Sequence, residues 1–360
     1  MKIVFLCKRA PQNRDLYKRP YGRFFYIPSL LAQAGFQVTL ILIDYKSNEE
    51  LSTPLDKFTL HIVPLNKLNP FSTITKIKKI VKAISPDWIS GLSDTWYGII
   101  AHHIGKKYNI KIFIDAYDNY ESYIPWLLPL HWLWRNACRK ADLLSAAGPQ
   151  LLALMNTSRD LNKASCVIPM AADPVFYPLD INTCREKLNL PNTFLVGYLG
   201  SLHPNRDPDQ FFSIVLFTIQ IDPSIKFVLS GRKHSSIIIP EKIKSHIIEL
   251  GYLDDADMPI ACNAMDLLLT IGQPSKFGNY AYPVKIYEGL TCGKVVLATR
   301  TQSTEWILEK TPENLIEWKD EKNTAEKIVA QKLISRKEKH PPSTWEDNLN
   351  VLAKHLRDGV

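Results

Sequence analysis

Tyr282-Pro283-Val284-Lys285-Ile286-Tyr287-Glu288-Gly289-Leu290-Thr291-Cys292-Gly293-Lys294-Val295-Val296 reads as a loop, a short helix, a glycine stop and the start of a strand running to Thr299. Proline suits a helix start, where a missing N–H costs nothing. Gly293 suits its end, where positive φ is often needed. Lys285 and Glu288 stand three apart and so share a face of the first turns. The N–H groups of such a start favour an anion, and Lys285 adds positive charge beside them. A carboxylate one turn in can accept hydrogen bonds from two neighbouring hydroxyls, as on a ribose. Two readings stand: a grip for a nucleotide diphosphate, or an ordinary surface helix with an i,i+3 ion pair, which is the commoner arrangement.

On either side of this stretch, apolar runs alternate with helical patterns. Upstream lie strands over Phe194–Leu199, closed by Gly200-Ser201, over Lys226–Leu229, followed by Ser230-Gly231-Arg232-Lys233, over Ile247–Tyr252 and over Leu267–Ile271. About five strand-helix units predict a doubly wound parallel sheet. Arg206, in the loop after the first of these strands, falls where such sheets bind ligands, and its value depends on facing the same crevice as Lys285. The first half shows the same alternation. Its strands lie over Lys2–Leu6, Val38–Ile43, Leu60–Pro64, after Asp87, and over Lys111–Asp115, Ala141–Ala147 and Cys166–Pro169. Its first loop lacks G-x-G-x-x-G, so a dinucleotide fingerprint is absent. Met170 to Asp180, with Pro174 and Pro178, reads as a linker. Ser343-Thr344-Trp345-Glu346 reads as a capping box. It opens an amphipathic helix with Trp345, Leu349, Leu352 and Leu356 on one side. The expected division is 1–172, 173–342 and a C-terminal helix, 343–360.

A chain of 360 residues, 46% hydrophobic and 22% charged, is long enough for two domains with real cores. Six scattered cysteines without C-x-x-C or a Cys/His cluster predict reduced thiols, a cytosolic setting and no metal site. Cys7 and Cys292 fit core filler. No secretory leader is legible, and no run approaches the roughly 18–20 apolar residues that span a bilayer. Residues 1–175 hold 22 Lys and Arg against 13 Asp and Glu, whereas 176–360 hold 22 against 23. A basic first half points to an anionic surface or substrate. No zinc finger, RNA-recognition signature or continuous basic arm accompanies it, so nucleic acid is not an expected partner.

Three segments of the basic half stand out. Lys8 to Arg23 carries Lys8, Arg9, Arg14, Lys18, Arg19 and Arg23 against Asp15 alone, either as a solvated surface or as phosphate contacts. The end of the strand at Lys111–Asp115 reads Asp115-Ala116-Tyr117-Asp118-Asn119-Tyr120-Glu121. Its three carboxylates can act as acid, base or hydroxyl ligands, or simply cap a helix. Tyr123 to Trp134 holds three tryptophans flanked by Arg135, Arg139 and Lys140. It reads as a membrane-interface segment, or as a core helix with Trp132 and Leu133 buried.

In this order, "VGYLGSLHPNRD" (196–207), "FVLSGR" (227–232), "IIELGYLDDADMPIACNAMDLLLTIG" (247–272) and "PVKIYEGLTCGKVVLAT" (283–299) resemble the family 4 glycosyltransferases. "RKADLLSAAGPQL" (139–151) and "CVIPMAADPVFYP" (166–178) are similar to that family's segments before its linker. The resemblance covers most of the chain. It implies the α/β GT-B fold: two Rossmann-like doubly wound parallel-sheet domains facing a central cleft, with a C-terminal helix returning to the first. The first domain would take the acceptor and the second the nucleotide-sugar donor.

The resemblance further implies retaining, metal-independent hexosyl transfer, with no cofactor beyond a UDP- or GDP-sugar as substrate. By motif position Glu288 would bind the ribose. Arg206 would neutralise the diphosphate, assisted by Lys285 and the neighbouring backbone, including Val284. Gly200, Ser201 and Arg232 would contact the donor, and Tyr252 and Leu253 would line the base pocket. Tyr280 stands where the family has a second glutamate, eight positions before Glu288. The first loop keeps only Gly22, and the family's histidine near Asp115 is absent, with Asp115 or Asp118 in the region; Asp118 is taken as the first domain's catalytic candidate. The expected acceptor is a lipid-linked or surface-polysaccharide glycan, met in the cytoplasm at the inner face of an anionic membrane. The alternatives are a nucleotide-sugar 2-epimerase and a non-catalytic partner of the same architecture.

Overall fold

The computed structural model describes residues 1–359 except 56, 158, 161, 205–206 and 335–340. It divides into two compact units. One comprises Met1–Met170, Tyr280–Tyr282 and Ser343–Val360, the other Ala171–Asn279 and Pro283–Pro342.

The first unit is built on β1 (Lys2–Lys8), β2 (Gln37–Asp44), β3 (Leu51–Leu55), β4 (Phe58–Pro64), β5 (Trp88–Gly91), β6 (Lys111–Ala116), β7 (Leu143–Ala146) and β8 (Ala164–Val167). Their order is β3-β4-β2-β1-β5-β6-β7-β8. All neighbours are parallel except β3 on β4. The central strands are buried on both faces, which is why they read as apolar runs. β3 was not legible as a strand. It alternates exposed and half-buried residues and contains Pro54, which an edge strand tolerates.

Helix Gly22–Gln33 packs on this sheet together with the C-terminal helix Trp345–Asp358. Leu349, Leu352 and Leu356 are buried there, and Trp345 stacks on Tyr26 with ring centroids 5.8 Å apart. The capping box that opens this helix lies one residue beyond its expected position. Thr344, not Ser343, is the N-cap, and Asp347, not Glu346, answers it. Helices Pro70–Ile84, Thr95–Tyr108, Leu128–Lys140 and Pro149–Asn156 follow β4, β5, β6 and β7, each touching the next.

Part of the basic loop is neither solvated nor open to phosphate. Arg23 is fully buried and donates to Asp115 from Nε (2.9 Å) and Nη2 (2.6 Å), and to the Ile168 carbonyl. Arg9, also buried, pairs with Asp15, Asp44 and Glu49. In the Trp-rich segment the phase differs from the core-helix reading. Leu130, Trp134, Ala137 and Cys138 face inward, while Trp132 and Leu133 are exposed.

The second unit carries β9 (Leu195–Leu199), β10 (Lys226–Ser230), β11 (Ile247–Gly251), β12 (Leu267–Thr270), β13 (Val295–Thr299) and β14 (Leu315–Ile316), all parallel. Their order, β11-β10-β9-β12-β13-β14, is the 3-2-1-4-5-6 pattern of a doubly wound sheet. The chain reverses its direction of travel between β9 and β12. These two strands pair only through Val196 with Leu267 and Gly197 with Leu268, and separate beyond. Asp266 holds the strand starts in register, accepting from the Leu195 N–H (2.7 Å) and from Arg185 (2.5 Å). No described helix is long and apolar enough to cross a membrane. All six cysteines are free and buried.

Candidate functional site

The helix predicted after Tyr282-Pro283 spans Val284–Thr291. Pro283 is its N-cap and supplies no capping side chain. Ile286, Tyr287 and Leu290 are buried beneath it, while Val284, Lys285 and Glu288 are half-buried. At its far end Gly293 (φ +71°) donates to Leu290 and Lys294 to Gly289, the double bond of a Schellman stop. A Cβ on Gly289 would fall 2.6 Å from a Leu268 methyl and 2.7 Å from one of Val296. Only glycine lets this helix lie so close to β12 and β13. Behind the helix, the Cys262 thiol is raised first by its hydrogen bond with Cys292, then by burial; the Glu288 charge adds to the rise.

Three neighbouring strands each end in a glycine of positive φ: Gly200 after β9, Gly231 after β10 and Gly251 closing β11. The ladder continues through them, with Gly200 N–H donating to Ser230, Gly231 to Gly251 and Leu202 to Arg232. A Cβ on Gly231 would lie 2.7 Å from the Gly200 carbonyl carbon and 2.8 Å from Ser201 N. These turns and Ser230, Lys233 and Glu249 line a hollow of about 130 Å³. The buried Ser230 hydroxyl makes no hydrogen bond among the described residues.

The Lys285 ammonium meets this floor. Nζ sits 4.9 Å from the Tyr198 ring centroid and 3.7 Å from where a Gly200 Cβ would be. A ring face attracts an ammonium without cancelling its charge. The second unit thus brings Lys285, Gly200, Ser201 and the helix start together at the carboxyl end of β9. Beside them Arg232 stacks on Tyr252 at 5.1 Å, and Lys233 pairs with Glu249 at 2.7 Å. Leu253 packs on the apolar cluster of this unit. Arg206 lies outside the described residues.

Asp118 belongs to the first unit. It is 9% exposed and accepts from the Tyr123 hydroxyl at 2.5 Å. Burial, then the Asp118 charge, raises the Tyr123 phenol far above its ordinary range. Its two acidic neighbours are engaged structurally. Asp115 is held by Arg23 and Ser145, and Glu121 by Arg135, with His131 3.9 Å away. Tyr282 also belongs to the first unit, where its hydroxyl donates to Gln150 Oε1 at 3.0 Å.

Sequence reasoning missed Tyr198, Ser230 and the floor role of Gly231. A signal was available, since a glycine directly follows or closes each of three successive strands. Among the described residues no group of three or more His, Cys, Asp or Glu could hold a metal ion.

Residues 193–331 match the family model described as "Glycosyl transferases group 1". The chain also matches solved structures over nearly its whole length. Anabaena Alr3699/HepE in complex with UDP gives a TM-score of 0.71 at 16% identity, covering 100% of this chain and 97% of that one. Sucrose-phosphate synthase from Thermosynechococcus elongatus gives 0.68 at 15%, covering 100% and 94%. WaaG, a glycosyltransferase involved in lipopolysaccharide biosynthesis, gives 0.62 at 14%, covering 99% and 94%. At these identities the likeness is one of fold, and that fold is GT-B. No curated protein matches the chain.

Proposed function

We propose, for a chain whose residues 193–331 match the group 1 glycosyltransferase family model, that it transfers a hexosyl group from a UDP- or GDP-sugar to a glycan or lipid-linked acceptor, with retention at the sugar carbon. The observation that carries the donor site is the Lys285 ammonium held over Tyr198 against the Gly200 turn, at the start of a helix. A diphosphate there meets a fixed cation, first-turn N–H groups and a backbone floor free of side chains.

When the sugar–oxygen bond breaks, negative charge grows on the leaving diphosphate. Groups already aimed at that charge lower the barrier without reorganising. Lys285 takes this role, and Arg206 joins it by motif position. Glu288, one turn along the same helix, accepts the two ribose hydroxyls and fixes the nucleoside. Arg232, Tyr252 and Leu253 form the base side, with Gly200, Ser201 and Val284 at the phosphates. Asp118 in the first unit attends the acceptor hydroxyl. The reaction draws on no metal or cofactor.

Lys285→Ala should lower transfer about a hundredfold or more, the scale seen when one charge-stabilising donor is removed. Glu288→Ala should weaken nucleotide binding with the circular dichroism spectrum unchanged. Full activity in both variants sinks the site. A thermal-shift panel of UDP-, GDP-, ADP- and CMP-sugars identifies the donor, because saturation at about 100 times Kd adds about 2.7 kcal/mol of stability. Incubating the responding donor without acceptor distinguishes transfer from 2-epimerisation. Binding without turnover across acceptors identifies a non-catalytic protein.

A further inference from the structure

We propose that one face of the first unit docks on an anionic lipid bilayer. This goes beyond the transfer reading and does not depend on it. Right-handed crossovers place the helices after β4, β5, β6 and β7 on one side of the sheet. They are Pro70–Ile84, Thr95–Tyr108, Leu128–Lys140 and Pro149–Asn156, each in contact with the next. None of the four contains an Asp or a Glu, yet together they carry nine Lys and Arg residues. Lys79, Lys82, Lys107 and Arg139 are exposed among them. Glu50 answers Lys76 and Glu121 answers Arg135, and the other seven leave this face positive. The C-terminal helix, packed with Gly22–Gln33, is of mixed sign: Glu346, Asp347 and Asp358 answer Lys354 and Arg357.

Each of these helices follows a parallel strand, so all four begin at the same edge of the sheet. That edge carries large apolar side chains in water: Leu68 is 99% exposed, Phe71 78%, Trp126 76%, Leu128 68% and Trp132 66%. Trp96 opens the helix between them and is 44% exposed. Tryptophan and leucine set above a field of lysines and arginines form the surface that settles into headgroups. A groove of about 370 Å³ lies within the same face. Trp132, Leu151, Leu154 and Met155 line it with Arg139, and with Asp118, Glu121 and the Arg135 that Glu121 holds, so its wall is apolar and its rim of mixed charge. A nucleic acid would satisfy the cations. It gives no account of leucine and phenylalanine standing out at the rim, so the bilayer is the occupant the surface fits.

The test floats the full chain at low salt with vesicles of phosphatidylcholine and phosphatidylglycerol in equal parts, and with phosphatidylcholine alone. Binding should be about tenfold or more stronger on the anionic vesicles, with tryptophan emission shifting to the blue. Lys79→Ala and Arg139→Ala should each lower the partition about two- to fivefold. Trp126→Ser combined with Trp132→Ser should remove most of the shift. All four positions are exposed, and circular dichroism checks that the variants fold. Equal binding to both vesicle types, or none to either, overturns the proposal. So does binding that the double tryptophan variant leaves intact while single-stranded RNA competes for it, since the face would then serve a polyanion.

Discussion

Gly231 carries no chemistry, yet the candidate donor site rests on it. Its missing Cβ leaves room for the Gly200–Ser201 backbone, and its φ of +98° is one that L side chains avoid. Gly231→Ala should lower donor affinity about tenfold or more, since a near-ångström misplacement weakens every positioned contact. Isothermal titration with the responding nucleotide measures this; unchanged affinity would detach the floor from the site. Asp115 shows the opposite case, a charged residue that looked catalytic and is structural. Asp115→Asn leaves Arg23 buried without its counter-charge and should destabilise the chain by about 3–5 kcal/mol. Chemical denaturation measures the loss, and a change under about 1 kcal/mol would show that the pair is dispensable. The pairing was not legible beforehand because Arg23 and Asp115 stand 92 residues apart. Charge composition reports how many cations a loop holds, not which of them find partners across a sheet.

Among the elements, central strands declared themselves and edges did not. β1, β2 and β6 are buried on both faces and show unbroken apolar runs. β3 touches the sheet along one side only, and no run marks it. Helix phase was hidden in the Trp-rich segment because Trp132, Leu133 and Trp134 are all apolar. Which of them turns inward is decided by where the helix begins, at Leu128. The capping box slipped by one residue because adjacent positions offer the same chemistry twice, Ser343 and Thr344 before Glu346 and Asp347. The pairing of helices Pro208–Ile221 and Glu321–Ile334 carries a pH signature. Lys332 donates to Asp222 at 2.5 Å, and with Ser224 it lowers that carboxyl to about 2 from its ordinary 3.8. A depressed carboxyl contributes stability above its unfolded value and loses it as pH falls through the folded one. Melting temperature should therefore drop between about pH 4 and 2 more steeply in the parent than in Asp222→Asn. Parallel curves would mean that the ion pair contributes nothing measurable.

For the molecule as a whole, strand–helix alternation was enough to predict two doubly wound sheets, and the order of loose motifs pointed to the GT-B fold. What composition could not place was the direction of the charge. A net excess counted along the chain says nothing about sidedness; that emerges only when crossovers of one hand gather four acid-free helices on the same flank. An uneven body of this kind carries an electric dipole and turns in a negative field before it makes contact. Its capture by a charged surface should therefore be sensitive to ionic strength mainly in the arrival rate, once the Debye length shrinks to about 8 Å. Escape should instead be governed by the tryptophans already embedded. The first unit would then meet such a surface with one flank preferred, oriented in flight and not sorted by repeated collision.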